Sequence, residues 1–403
     1  MSILDEIKVK STWDDFFAYK TERGLLTKRE TAELSSFIEE GGFIPVAEQM
    51  SRPDYSFPPP RRISINRKGS GKKRTVYSFG SDITNVLKVI AFLLYRYDGY
   101  VSGRCYSFRR NMNAKTAVRD ILAVPAERRK YFYKADIHDY FNSIPAGRLS
   151  DMLADVITDD GEILGLLRKL ILQGKCEENG EIIECRCGAM AGVPVSSFFA
   201  NIYLKGLDER FEEAGADYFR YSDDIIVFAS SLQELEQYRE MMISTLAEYG
   251  LEMNPEKEKT GGPGDEWEYL GFRSREGKVM LSSVSLSKIK AKIKRKAHSL
   301  YRWRKRKGVD FGKTAAKMIS IFNRKFYDEK RENGFTWSRW YFPVITDPSD
   351  LKEVDACLVE NIRYLSSGRY YKGNYRIKYS EIKDLGFRSL VNEYYRFQKS
   401  ENA

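Results

Sequence analysis

The sequence predicts an α+β protein: a mixed core over about residues 61–275 and a helical region over 276–403. Three observations predict it. Short apolar strands alternate with helical stretches after Arg61, which builds an α/β core around a largely antiparallel sheet. Charged residues sit at the ends of two of those strands, beside segments too apolar to tolerate stray charge. After about residue 276, Ile289, Ile293, Ala297, Leu300 and Trp303 fall on one face of a basic helix.

Taken in order, residues 1 to about 50 read as helical, with Trp13, Phe16, Leu34 and Phe37 at helical spacings that end at Gly41-Gly42. Pro58-Pro59-Pro60 continues neither a helix nor a sheet ladder, so 1–60 is set apart as an N-terminal helical extension. From Arg61 to Phe79 the pattern is a strand pair around a basic glycine turn. Helices are expected over 82–98, 113–123, 148–173 and 196–213. Strands are expected over 131–137 and on both sides of Ser222-Asp223-Asp224, and none clearly after 276.

The composition is 42% hydrophobic and 31% charged, too apolar for a disordered chain and too charged for a membrane one. No apolar run approaches the ~20 residues that span a bilayer. The acidic, amphipathic start from Met1 to Lys8 lacks the order of a signal peptide, so a cytoplasmic chain is expected. Cys105, Cys176, Cys185, Cys187 and Cys357 make no disulfide framework, so reduced thiols are expected. Cys176, Cys185 and Cys187 read as zinc ligands lack a nearby fourth. The net charge is +10, and eleven Lys/Arg with no acid lie between Lys288 and Lys307. Like charges repel along such a run, so a polyanion is the expected partner, with an anionic membrane surface as the other polyanionic class.

The strongest local signal is Phe219-Arg-Tyr-Ser-Asp-Asp-Ile-Ile-Val-Phe228, two adjacent carboxylates at a turn between apolar strands. Aspartate is also a good turn residue, so the pair alone decides nothing. Upstream, Asp136 lies where a buried-looking strand passes into a turn. If the strand ends adjoin, three carboxylates converge, and their repulsion is relieved by hard divalent cations such as Mg²⁺ or Mn²⁺. Two ions about 3.5–4 Å apart suit phosphoryl transfer to a hydroxyl.

At this point the chain resembles the reverse transcriptases, in ordered motifs from about Arg61 onward. Lys68-Gly-Ser-Gly-Lys-Lys-Arg74 resembles the fingers motif that grips a triphosphate, and Cys105-Tyr-Ser-Phe-Arg-Arg110 the template-side motif. Asp136-Ile-His-Asp-Tyr-Phe141 is similar to motif A, Tyr221-Ser-Asp-Asp224 to motif C, Leu251-Glu-Met-Asn-Pro-Glu-Lys257 to motif D, and Tyr269-Leu-Gly-Phe272 to the primer grip.

The resemblance implies a right hand, with fingers and palm over 61–275 and an α-helical thumb over 276–403. It implies two Mg²⁺ ions on Asp136, Asp223, Asp224 and the Ile137 carbonyl. Lys68, Arg74, Gly192 and Lys257 would meet the nucleotide, and Phe141 would act as a steric gate favouring dNTPs. Nucleic acid would meet Arg109, Tyr221, Leu270 and Gly271, and, on the basic helix, Lys288, Lys292, Arg295 and Arg302. For Phe141 the alternative is a core aromatic beside Tyr140, and for Lys68 and Arg74 a solvated turn.

Motif B departs from the family: Met190-Ala-Gly-Val-Pro-Val-Ser-Ser197, followed by Asn201 and Leu207-Asp208, has Ala191 where the family carries Gln. That departure and the blocks Trp340–Thr346, Asn361–Arg369 and Leu385–Val391 resemble bacterial reverse transcriptases of abortive infection and phage defence rather than retron or group II intron enzymes. A structured noncoding RNA as template or scaffold, a DNA product and no membrane partner are then expected. RNA-dependent RNA polymerase, template-independent DNA polymerase and a catalytically silent RNA-binding scaffold are the alternatives.

Overall fold

A computed structural model describes residues 1–66, 73–185, 188–327 and 336–401. The chain divides into two compact units, Met1–Pro263 and Gly264–Ala403.

The first unit carries eight strands: β1 (Arg61–Asn66), β2 (Lys73–Ser78), β3 (Tyr131–Asp136), β4 (Lys175–Glu178), β5 (Glu181–Glu184), β6 (Asp217–Tyr221), β7 (Asp224–Ala229) and β8 (Lys259–Gly261). One sheet runs β2-β1-β4-β5, the other β6-β7-β3-β8. The second is antiparallel throughout. Ile225 to Phe228 of β7 are all buried, as a strand covered on both faces requires.

The N-terminal helices belong to this unit's core. Trp13 stacks on Phe43 at 4.9 Å and donates its indole N–H to the Ile7 carbonyl. The Ile3 amide and the Ser2 hydroxyl donate to Asp160 at 2.7 and 2.8 Å. The same carboxylate caps the Gly161–Ile171 helix through the Ile163 amide, so the helix expected over 148–173 is two, Ala146–Val156 and Gly161–Ile171. The stretch 196–213 likewise divides into Ser196–Tyr203 and Lys205–Glu213, and 82–98 into an α-helix to Leu93 and a 3₁₀ segment to Tyr100.

In the second unit β9 (Trp267–Tyr269), β10 (Phe272–Arg275) and β11 (Lys278–Leu281) form a meander. Strand β11 corrects the expectation of none after 276. Glu276 and Gly277, at φ 50° and 76°, form a two-residue turn that closes the hairpin, and only Val279 and Leu281 are buried, too short an alternation to register as a period. The long helix Ser283–Lys307 buries Ile289, Ile293, Ala297 and Leu300 and exposes Lys288, Lys292, Arg295 and Arg302. Long basic side chains on one face and aliphatic ones on the other let burial hold the helix, at ~1.5–3 kcal/mol per aliphatic group.

Cys105, Cys176 and Cys357 are free thiols, whereas Cys185 is disulfide-bonded, a correction to reduced thiols throughout. A sulfur held in a disulfide ligates no zinc; Cys187 lies outside the described residues. Among the described residues no helix is long and apolar enough to cross a membrane.

Candidate active site

The β6–β7 turn is tight, with Ser222 in the left-handed region at φ 62°. Antiparallel register pairs Asp136 with Asp224, and the Ile137 amide donates to the Asp223 carbonyl at 3.2 Å. Three carboxylates from two strand ends are thereby brought together. Burial, then the nearby Asp136, pushes Asp223 above the usual carboxylate range. Burial pushes Asp224 up to about 6, with Lys134 opposing and Asp136 and Asp223 adding to the rise. Lysines neutralise the cluster: the Lys257 Nζ lies 2.5 Å from Asp136 and the Lys134 Nζ 3.4 Å from Asp224.

Crowded carboxylate oxygens, with Asp223 and Asp224 at raised pKa and lysines set against Asp136 and Asp224, have the chemistry of a divalent metal site. Among the described residues no group of three or more His, Cys, Asp or Glu side chains is drawn together in a way that would by itself hold a metal ion.

The cluster should make the metal-free fold pH-sensitive. A carboxyl raised in the folded state binds its proton more tightly than in the unfolded chain, so stability is lost as pH rises from about 4 towards 6. Asp224→Asn should therefore raise the metal-free Tm at pH 7.5 and leave it unchanged near pH 4, as read by differential scanning fluorimetry in chelator.

Asp136, Asp223 and Lys257 open on a cavity of about 680 Å³ that Lys73, Arg74 and Phe141 also line. Phe141 is half-buried, edge-on to Tyr140 at 5.6 Å and to Phe108 at 6.3 Å, so its ring is both packed and part of the wall. Its carbonyl accepts the Ala189 amide at 2.8 Å, and the Asn142 side chain accepts the Ala191 amide at 3.1 Å. The Ala191 carbonyl accepts the Tyr77 amide at 2.7 Å. Gly192 is at φ 102°, and a Cβ there would lie 2.8 Å from the Tyr77 carbonyl, so only glycine lets this segment pass against β2.

Behind the turn lies a buried polar network. The Ser222 amide donates to the Ser107 hydroxyl at 2.9 Å, and that hydroxyl donates to Asn201 at 3.2 Å. The Asn201 amide in turn donates to the Ser107 carbonyl at 2.9 Å. Fully buried Arg220 donates to the Ser222 carbonyl and pairs with fully buried Asp208 at 2.5 Å. Burial opposes the charge on Arg220, but Asp208 outweighs it and keeps the guanidinium protonated. The sequence flagged Asn201 and Asp208 only as the continuation of motif B and missed Ser107 and Arg220; a charge inside an apolar strand is the signal that could have found the latter. Ser107→Ala removes one acceptor from the strained turn and should lower turnover about tenfold, roughly the worth of one buried hydrogen bond, with little change in substrate KM. Steady-state kinetics checks this.

The remaining expected residues are placed as follows. Arg109, expected on nucleic acid, donates to the carbonyls of Asp98, Ser102 and Cys105. Tyr221 is partly exposed beside Phe108. Lys68 lies outside the described residues, while Lys73, not singled out by sequence, lines the cavity. In the second unit Leu270 and Gly271, at φ 50° and 91°, form the turn between β9 and β10.

A family profile described as reverse transcriptase (RNA-dependent DNA polymerase) matches residues 65–274. The chain is 26% identical over 175 residues to an uncharacterized 91 kDa protein in the cob intron of Schizosaccharomyces pombe, covering 43% of this chain and 21% of that protein. It is 29% identical over 106 residues to the retron Ec86 reverse transcriptase of Escherichia coli, covering 25% of this chain and 33% of that one. The chain thus spans a third or less of the curated relatives it matches. Among solved structures, apo telomerase from Candida tropicalis aligns at TM-score 0.46 and 13% identity, over 86% of this chain and 68% of that one.

Proposed function

The chain belongs to the reverse transcriptase family, and from that premise we propose that it is an RNA-directed DNA polymerase that adds dNTPs to a primer 3′-hydroxyl. The observation that carries the reading is the register of Asp136 against Asp224, next to Asp223, with Asp136 and Asp223 lining the cavity that Phe141 also lines. Asp136, Asp223 and Asp224, with the Ile137 carbonyl, would hold two Mg²⁺ ions. When bound, such ions lower the pKa of a primer hydroxyl and stabilise the leaving pyrophosphate.

The chain's own groups do the rest. Lys73 and Arg74, with Lys68 of the same motif, bind and orient the triphosphate by charge-assisted hydrogen bonds. Lys257, at the cavity wall beside Asp136, would serve as a proton donor to, or a contact for, the nucleotide phosphates. Gly192 lets the backbone approach the nucleotide closely. The Phe141 ring crowds the ribose 2′ position, which favours dNTPs. The exposed cations Lys288, Lys292, Arg295 and Arg302 suit a phosphate backbone, and a structured noncoding RNA is the partner we assign to them.

Ala191 at the motif B Gln position favours a second reading in which synthesis depends only loosely on a template. Together with the C-terminal blocks, it supports a cytoplasmic role in phage defence.

The purified chain supplied with Mg²⁺, a primed RNA and either dNTPs or rNTPs should incorporate deoxynucleotides. Preference for ribonucleotides would assign it to RNA synthesis instead. Phe141→Ala should reduce the discrimination between dNTP and rNTP by roughly 10- to 200-fold, the range that steric selection on one side chain provides, as read from the ratio of kcat/KM values.

A further inference from the structure

A second cavity, of about 300 Å³, shares no lining residue with the catalytic one. Its walls are aromatic and cationic: Tyr19, Phe92, Tyr95 and Phe108 line it with Lys20 and Lys88. Tyr19 and Lys20 come from the N-terminal Lys10–Glu22 helix, so this extension helps to build the chamber.

Lys20 is partly buried against the rings of Phe16 and Tyr19, at 5.4 and 5.9 Å. Lys88 donates to the Asn85 side chain at 3.2 Å. Neither ammonium is within ion-pair distance of a carboxylate among the described residues. Burial, and then Lys88 nearby, lowers the pKa of Lys20. Arg110 adds a third cation, over Phe92 at 4.8 Å and Tyr95 at 5.3 Å. The opposing acid in the wall is Asp98, whose carboxylate accepts the Arg110 amide and is pushed by burial towards its neutral form.

Phe108 connects this chamber to the site of chemistry. It has φ 56°, a strained conformation for an aromatic residue, yet its ring is 40% exposed. That ring meets Phe141 edge-on at 6.3 Å and Tyr221 at 6.4 Å. Glu30 lies within electrostatic reach of Lys88 without forming an ion pair, and flat rings beside ammonium groups not in carboxylate contact are the chemistry that holds a single nucleotide, by stacking on the base and attraction to the phosphate.

We propose that this cavity takes one unpaired nucleotide of the RNA strand entering the catalytic cavity, its base among Phe92, Tyr95 and Phe108 and its phosphate on Lys20 and Lys88. The strand's identity rests on the polymerase reading; the nucleotide chemistry rests on the walls alone. A free nucleotide offers the same groups, so the test separates the two.

The probe is a fluorescein-labelled RNA hairpin duplex, either blunt or with a four-nucleotide 5′ overhang, titrated by anisotropy with the full chain in Mg²⁺-free buffer. Wild type should bind the overhang form about tenfold more tightly, the scale of one stacked base. Lys20→Glu/Lys88→Glu should lose that preference while its affinity for the blunt duplex changes less than about threefold, and Lys20→Arg/Lys88→Arg should retain it. Ala91→Trp, which fills the cavity without altering charge, should lose it as well, with an unchanged circular dichroism melt showing that the fold is intact. An overhang preference that survives in the glutamate and tryptophan variants, or its absence from wild type, overturns the proposal. AMP binding that Lys20→Glu/Lys88→Glu abolishes, together with no overhang preference in wild type, would overturn the strand assignment in favour of a free nucleotide. Since the readout is binding, failure to synthesise DNA would refute the polymerase reading and leave this result to stand or fall separately.

Discussion

Asp223→Ala/Asp224→Ala should lower Mg²⁺-dependent dNTP incorporation by about a thousandfold or more, with the folded state intact. A metal ion that stabilises charge in the transition state contributes several kcal/mol, and each ~1.4 kcal/mol is tenfold in rate. The two side chains lie at one strand end opposite Asp136, so their loss leaves a single carboxylate, itself paired with Lys257. Removing two crowded carboxylates of raised pKa relieves repulsion rather than creating it, so the variant should melt no lower than wild type without metal. Primer extension with a radiolabelled dNTP, run beside a thermal melt, reads both. Equal extension by variant and wild type would remove these residues from catalysis.

Arg220→Met should be the most damaging single change to stability. It leaves the Asp208 carboxylate in a fully buried site with the Tyr218 hydroxyl, at 2.9 Å, as its one remaining donor among the described residues. Stranding one member of a buried ion pair costs about 3–5 kcal/mol, which for a unit of this size lowers Tm by roughly 10 °C. Burial favours the neutral acid, so the residual stability of the variant should improve as pH falls towards 5. Asp208→Leu/Arg220→Met removes both charges and should recover most of the melt without recovering turnover, because the Ser222 carbonyl loses its donor. Calorimetry paired with primer extension separates the two effects. A single variant that melts like wild type would show that the pair does not support the hairpin.

The carboxylate-bearing strands were legible because their signal is local. Asp136 ends an apolar run, Asp223 and Asp224 interrupt another, and Phe141 follows Asp136 by a fixed spacing. What holds them was not, since the contacts are remote in sequence. Ser107 reaches Ser222 from a loop more than a hundred residues upstream, and Asn201 and Asp208 come from two further helices. Lys257 was expected as a nucleotide contact, and its pairing with Asp136 was not legible. Arg109 was expected to contact nucleic acid, and its hydrogen bonds to the carbonyls of Asp98, Ser102 and Cys105 could not be read from its neighbours in sequence. The break at Asp160 went unseen although its cap on the Ile163 amide is local; the bonds from Ser2 and Ile3 to the same carboxylate are remote in sequence. Short β11 and the β4–β5 hairpin lack enough alternating positions to show a period.

RNA-directed DNA synthesis is tested most directly by giving the purified chain an RNA template of defined heteropolymeric sequence, an annealed primer, Mg²⁺ and all four dNTPs, and sequencing the product. DNA complementary to the template, absent when Asp223 and Asp224 are alanine, is the predicted result. A product whose sequence does not change when the template is changed would contradict it.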